Sequence, residues 1–164
     1  MENESLNVPL RSAQQWSAPQ RRSVAAPELG GTPTQTGRRD RVLVVEDDLL
    51  IASQAEAALT EAGFDVIGIV TSGEEALALA GRQLPDLAIM DIRLVGDRDG
   101  VDTAIELFRT HGVRCIFASA HSDHEARRRA EPAAPLGWLQ KPYTMGSLTA
   151  LVGRAASELR RQGR

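Results

Sequence analysis

Five side chains are candidates for joint chemistry, and each follows a short apolar run. Glu46 and Asp47 come after Val42-Leu43-Val44-Val45, Asp91 after Leu87-Ala88-Ile89-Met90, Ser119 after the run ending at Ala118, and Lys141 after Leu136-Gly137-Trp138-Leu139-Gln140. Brought together, these residues would give three carboxylates, a hydroxyl and an ammonium. Crowded carboxylates repel, which raises their pKa values, and a hard divalent cation relieves that repulsion. A small, all-oxygen ligand set favours Mg²⁺, which keeps waters and also binds phosphate oxygens. A carboxylate beside such an ion can attack a phosphoryl group to form an aspartyl-phosphate. The charge on the transferred group is then neutralised by metal, ammonium and hydroxyl. Lys141 is the only lysine among 19 basic residues. Its compact ammonium can touch a carboxylate and a phosphoryl oxygen together, where a planar guanidinium does not fit.

The elements that must position these groups alternate along the chain. Unbroken apolar runs at 42–45 and 87–90, with 65–70, 114–118 and 136–140, predict strands, the first two of a kind buried on both faces of a parallel sheet. Helices are expected over 49–62 (stopped at Gly63), 72–81 (Ser72 as N-cap, with Glu75 completing a capping box), 101–111, 122–130 and 144–161. Pro132 and Pro135 should end the fourth. Five strands alternating with five helices predict an α/β fold, a doubly wound five-stranded parallel sheet with helices on both faces. Ligands of such sheets bind beyond the carboxyl ends of the strands, where the five side chains lie.

Composition narrows the function classes. The chain has 164 residues, room for one ordinary domain. Aromatic residues make up 4% and hydrophobic ones 42%, so the core must be aliphatic. A net charge of −3 argues against direct DNA binding, whose footprint is a basic face. One cysteine, Cys115, excludes an intramolecular disulfide and reads as an inert buried hydrophobe. No apolar run approaches the roughly 18 residues that span a bilayer, and the acidic N-terminus lacks a secretory apolar stretch, so a cytoplasmic location is expected. Residues 1–40 are rich in Pro, Ser, Thr, Gln and Gly and read as a disordered N-terminal extension, with Leu10 and Trp16 as possible docking anchors. The folded domain is expected over 41–161, with 162–164 as a tail.

In order and spacing, Val44-Val45-Glu46-Asp47-Asp48, Asp91, Ser119-Ala120 and Lys141-Pro142 resemble the receiver domain of two-component response regulators, the CheY-like superfamily, with a flavodoxin-like fold. The resemblance covers about residues 41–161. It implies that Asp91 accepts a phosphoryl group from a histidine kinase or histidine phosphotransfer protein. It further implies that Mg²⁺ is held by Asp47, Asp91, the backbone carbonyl of Arg93 and, through water, Glu46. Ser119 would hydrogen-bond the phosphoryl group and move on activation, Lys141 would pair with it, the Lys141–Pro142 bond would be cis, and Trp138 occupies the place of a switch aromatic. The loop from Ile92 to Gly100 departs from the common pattern by lacking a proline and by one extra residue; it and Phe117-Ala118-Ser119 are similar to short alphaproteobacterial receivers. The helix before Glu131-Pro132-Ala133-Ala134-Pro135 is short for the family. The few residues after Gly153 leave no length for an effector domain, so a single-domain response regulator is expected, signalling to an unknown downstream protein by contact or phosphate relay.

Plainer readings stand beside these. Glu46-Asp47-Asp48 would also suit the start of a helix, and Asp48 has only that role. Trp138 would serve equally as core. His111, His121 and His124 lack ligand spacing and read as surface residues, although His121 would affect water access to a phosphoryl group. Arg127-Arg128-Arg129 reads as a solvated helix face that could alternatively meet an acidic partner. A phosphorylation-independent adaptor and an aspartyl-nucleophile phosphatase are the functional alternatives. The phosphatase expects a second aspartate where Arg93 stands, and the chain is expected not to be an enzyme beyond its own phosphoryl transfer and autodephosphorylation.

Overall fold

The structure is a computed structural model and describes residues 38–120 and 124–163. Eleven elements follow in chain order: β1 (Arg41–Val45), α1 (Leu49–Glu61), β2 (Asp65–Val70), α2 (Gly73–Arg82), β3 (Leu87–Asp91), α3 (Gly100–His111), β4 (Arg114–Ser119), α4 (His124–Ala130), a 3₁₀ turn (Glu131–Ala133), β5 (Gly137–Gln140) and α5 (Met145–Arg161). The sheet order is β2-β1-β3-β4-β5 and every neighbouring pair is parallel. The chain leaves β1 for β2 on one side and then crosses to β3 on the other. That reversal opens a crevice between the carboxyl ends of β1 and β3.

The apolar runs are explained by where their alternate residues go. Leu43, Val45, Ala88, Met90, Cys115 and Phe117 pack on one face with α2, α3 and α4, whereas Val42, Val44, Leu87, Ile89, Ile116 and Leu139 pack on the other with α1 and α5. With both faces covered, polar alternation would bury unpaired groups, so it is absent. The helices contribute largely alanine to these layers: Ala52 and Ala55 from α1, Ala76 and Ala80 from α2, Ala126 and Ala130 from α4. Among the described residues no helix is long and apolar enough to cross a membrane.

Helix starts follow the sequence signals. The Asp48 carboxylate accepts hydrogen bonds from Leu50 N–H (2.9 Å) and Ile51 N–H (3.2 Å), as its reading as a cap requires. Ser72 accepts from Glu75 N–H at 3.3 Å. Glu75 reaches past the cap to Thr71 N–H (2.9 Å), and that bond lowers the carboxyl's pKa. Asp99 and Thr144 cap α3 and α5. Helix α4 ends at Ala130, ahead of Pro132 and Pro135 as expected. A short 3₁₀ turn follows, in whose first turn Pro132 forfeits no intrahelical bond, and the chain reverses at Ala134, with φ of 48°. The expectations for residues 1–37, His121, Ser122 and residue 164 lie outside the described residues.

One glycine couples the fold to the candidate site. A Cβ at Gly100 would sit 1.9 Å from the backbone oxygen of Asp91, and Gly100 N–H donates to Ile92 O at 2.9 Å. Gly100→Ala should therefore destabilise the fold by about 1–3 kcal/mol through forced backbone displacement and should perturb Asp91. Gly153→Ala in α5, where an added Cβ meets nothing within 4 Å, should instead stabilise by about 1 kcal/mol. Urea unfolding of the two variants checks the opposite signs.

Candidate functional site

Each expected residue sits at the carboxyl edge of the sheet. Glu46 follows β1; its backbone N–H donates to Val70 O at 3.0 Å, extending the β1–β2 ladder, and its side chain is buried. Asp47, next in the chain, is exposed. Asp91 is the last residue of β3 and Ser119 the last of β4, and both are buried. Lys141 follows β5, and its backbone N–H donates to Ser119 O at 2.6 Å. The Lys141–Pro142 peptide is cis, as expected.

The side chains converge. Lys141 Nζ donates to Asp91 Oδ2 at 2.7 Å and to Glu46 at 2.7 Å (Oε2) and 3.0 Å (Oε1). Arg93 N–H donates to Asp91 Oδ1 at 3.2 Å. Glu46, Asp47 and Asp91 offer ligand oxygens that all lie within 4.8 Å of one another. Oxygens around an octahedral Mg²⁺, at a metal–oxygen distance of about 2.1 Å, lie about 3.0 Å apart when cis and about 4.2 Å when trans. The carboxylates would draw closer together to share one ion directly. The donor set is all oxygen, hard and negatively charged, so it fits that ion.

The electrostatics are those of a partly buried cluster with excess negative charge. Three carboxylates face one ammonium, and the Glu46, Asp91 and Lys141 side chains are 5%, 10% and 19% exposed. Burial raises the Glu46 pKa above its usual value, opposed by the hydrogen bond from Lys141 and helped by the charge of Asp91. The expected rise from crowding is present as the effect of Asp91, and desolvation, which spacing could not show, is the larger cause. Burial acts to lower the Lys141 pKa, but hydrogen bonds and attraction from Asp91 and Glu46 outweigh it and hold the ammonium above its ordinary value.

Other residues around the site carried little sequence signal. Tyr143 is half-buried, and burial, then the charge of Glu46, raises its phenol pKa. Trp138 packs against the core cluster and stacks on Phe117, with ring centroids 4.7 Å apart and planes at 20°. Its ring also receives the Arg127 guanidinium at 4.6 Å. Arg129 pairs with Asp99 (2.8 Å) and Asp102 (3.1 Å). The three consecutive arginines are exposed, as a solvated face requires, and two of them also make specific contacts. Cys115 is fully buried and its thiol is pushed up to about 12, as an inert core residue requires. His124 is exposed, whereas His111 is half-buried.

The charge balance makes two linked predictions. In metal-free buffer, wild type should lose stability relative to Glu46→Gln as pH rises from 4.5, the ordinary carboxyl value, through the raised folded value. The reason is that the folded chain holds that proton more tightly than the unfolded one. Lys141→Met should cost roughly 3 kcal/mol by leaving buried carboxylates unpaired, whereas Asp91→Asn, which removes one of the repelling charges, should be neutral or stabilising. Thermal unfolding in a chelator across this pH range reads both.

Comparison with known proteins agrees with this geometry. The response regulator receiver domain model matches residues 42–153. The transcriptional regulatory protein PdtaR of Mycobacterium tuberculosis is 33% identical over 120 residues, covering 73% of this chain and 58% of that protein. The phyllosphere-induced regulator PhyR of Methylorubrum extorquens is 31% identical over 116 residues, covering 70% and 42%. This chain therefore spans about three fifths or less of the length of these relatives. Among solved structures, the signal receiver domain of a modulated diguanylate cyclase from Desulfovibrio desulfuricans superposes with a TM-score of 0.70 at 34% identity, covering 76% of this chain and 99% of that one. A CheY-like receiver domain protein from Methanospirillum hungatei, at 23% identity and a TM-score of 0.71, shares the fold over 77% of this chain and all of its own. With the sheet order, the acidic crevice and these matches in agreement, the chain belongs to the response regulator receiver domain family.

Proposed function

We propose that this receiver is phosphorylated on Asp91 by a histidine kinase or histidine phosphotransfer protein and passes the signal on by protein–protein contact. The observation that carries the proposal is the contact of Lys141 Nζ with both Asp91 and Glu46 at 2.7 Å, inside a carboxylate cluster suited to a divalent cation. Mg²⁺, held by Asp47, Asp91 and the Arg93 carbonyl with Glu46 acting through water, would neutralise charge on the transferred group. An Asp91 carboxylate oxygen attacks phosphorus, the donor's P–N bond breaks, and the leaving imidazole takes a proton from solvent. Lys141 exchanges part of its carboxylate contact for a phosphoryl oxygen, and the Ser119 hydroxyl, at the buried end of β4, turns to donate to another.

The new charge at Asp91 is a local event with a global readout. Movement of Ser119 and Lys141 is transmitted into β4, β5 and the helices that follow them. Access for a donor protein is supported by an open, mostly apolar hollow of about 440 Å³ that includes Lys141, Pro142, Tyr143 and Ile51. Nearby, at the start of α1, Leu49 and Leu50 are 67% and 69% exposed. The phosphatase alternative is disfavoured by Arg93 at the position where a second aspartate is needed, and the adaptor alternative by the paired Asp91 and Lys141.

With acetyl phosphate and millimolar Mg²⁺, the protein should take up about one phosphoryl group, acid-stable and base-labile. Asp91→Ala should abolish the label. Asp47→Asn should weaken Mg²⁺ binding at least tenfold. Lys141→Arg should keep its charge yet impair the conformational response read by amide chemical shifts. Stoichiometric stable labelling of Asp91→Ala would overturn the assignment.

A further inference from the structure

Helix α4 is attached to the domain in an unusual way. Its sequence, His124–Ala130, contains no large apolar residue, and only Ala126 and Ala130 are buried. Two alanines provide little apolar area for docking a helix. Two arginines of the helix add further grip at two separate places. Arg127 lies over Trp138 of β5 at 4.6 Å, and the indole in turn stacks on Phe117 of β4. Arg129 pairs with Asp99, the N-cap of α3, and with Asp102 in its first turn. Arg128, between them, is exposed and takes no part in these pairings.

Both anchor points adjoin the candidate site. Asp99 immediately precedes Gly100, the residue packed against the Asp91 backbone. Trp138 pairs in register with Phe117, two residues before Ser119. Drawing Ser119 toward a group on Asp91 would move the start of the segment leading into α4 and disturb the Phe117 platform beneath the Trp138–Arg127 stack.

We propose that Arg127 and Arg129 form a two-point tether that holds α4 in the arrangement seen here and biases the domain against its phosphorylated arrangement. The second half of this inference rests on the reading of Asp91 as phosphoacceptor. A contact made in one arrangement and weakened in the other sets the equilibrium between them. Its removal raises the apparent affinity of any ligand that selects the second. An exposed cation–π contact and an exposed ion pair are each worth about a two- to fivefold shift.

The experiment uses the 164-residue chain with Trp16→Phe, so that Trp138 is the sole indole. Hydrogen exchange of α4 amides and Trp138 emission are read without phosphodonor, and the affinity for beryllofluoride with Mg²⁺ is read separately. Arg127→Ala and Arg129→Ala should each accelerate α4 exchange and tighten beryllofluoride binding about two- to fivefold. Arg127→Ala alone should red-shift Trp138 emission. Arg128→Ala, which removes the same charge without a contact, should change none of these. Unchanged α4 exchange in Arg127→Ala and Arg129→Ala would overturn the tether. Faster exchange with unaltered beryllofluoride affinity would overturn the bias and leave a purely structural strap, and an equal effect from Arg128→Ala would reduce the result to net charge. If wild type itself ignores beryllofluoride, the phosphoacceptor reading fails and the bias with it, while exchange alone still decides the tether.

Discussion

The contact of the Lys141 ammonium with Glu46 and Asp91 joins the ends of three strands that are not all neighbours in the sheet. Glu46 follows β1, Asp91 ends β3, and Lys141 follows β5, which lies across β4 from β3. Carboxylates at the switch point repel one another, and they are held in largely buried positions by an apolar sheet that cannot relax around them. The ammonium satisfies both buried carboxylates at hydrogen-bond distance, and Asp47 remains on the exposed side, where a hydrated cation can reach it. This is a poor way to stabilise a fold, since desolvating three charged groups offsets much of their attraction. It suits a site whose charge is meant to change, because altering one partner redistributes the others.

Much of this arrangement was legible in the residues themselves. Val42–Val45 and Leu87–Met90 are apolar without alternation because both faces of a parallel sheet are covered, so the strand ends, and with them Glu46 and Asp91, could be located from pattern alone. Asp48, Ser72 and Gly63 marked helix boundaries through their local hydrogen-bonding and backbone preferences. Distances were not legible. That Lys141 meets Glu46 as closely as Asp91 depends on the register Ser119↔Gln140 and on the turn after β5, neither of which spacing encodes. The weight of desolvation over crowding at Glu46 depends on burial in three dimensions. The half-buried Tyr143 likewise follows from tertiary packing rather than from local propensity.

The arginines of α4 show why a charge run is ambiguous in sequence. Arg127, Arg128 and Arg129 are identical in type and adjacent, yet successive residues of a helix point about 100° apart, so only two of them face neighbours. What those neighbours offer, an indole face on one side and two carboxylates on the other, is fixed by β5 and the α3 N-terminus. With alanines beneath, a guanidinium can also supply apolar stem contact that a shorter polar side chain could not.

The same reasoning explains why the one lysine of the chain stands where it does. Everywhere else the chain uses arginine, and some of the described arginines occupy positions where a broad planar donor is an advantage: Arg114 spans Ala134 O, Glu158 and Gln162, and Arg127 stacks on a ring. At Lys141 the requirement is reversed. Two carboxylates approach a single nitrogen within 2.7 Å from different strands, and three tetrahedrally disposed N–H groups meet them without demanding coplanarity. A guanidinium spreads its donors over a wider flat fork and offers no single nitrogen with three N–H groups to turn toward both carboxylates. The solitary lysine thus stands where two carboxylates from different strands converge on one compact point charge.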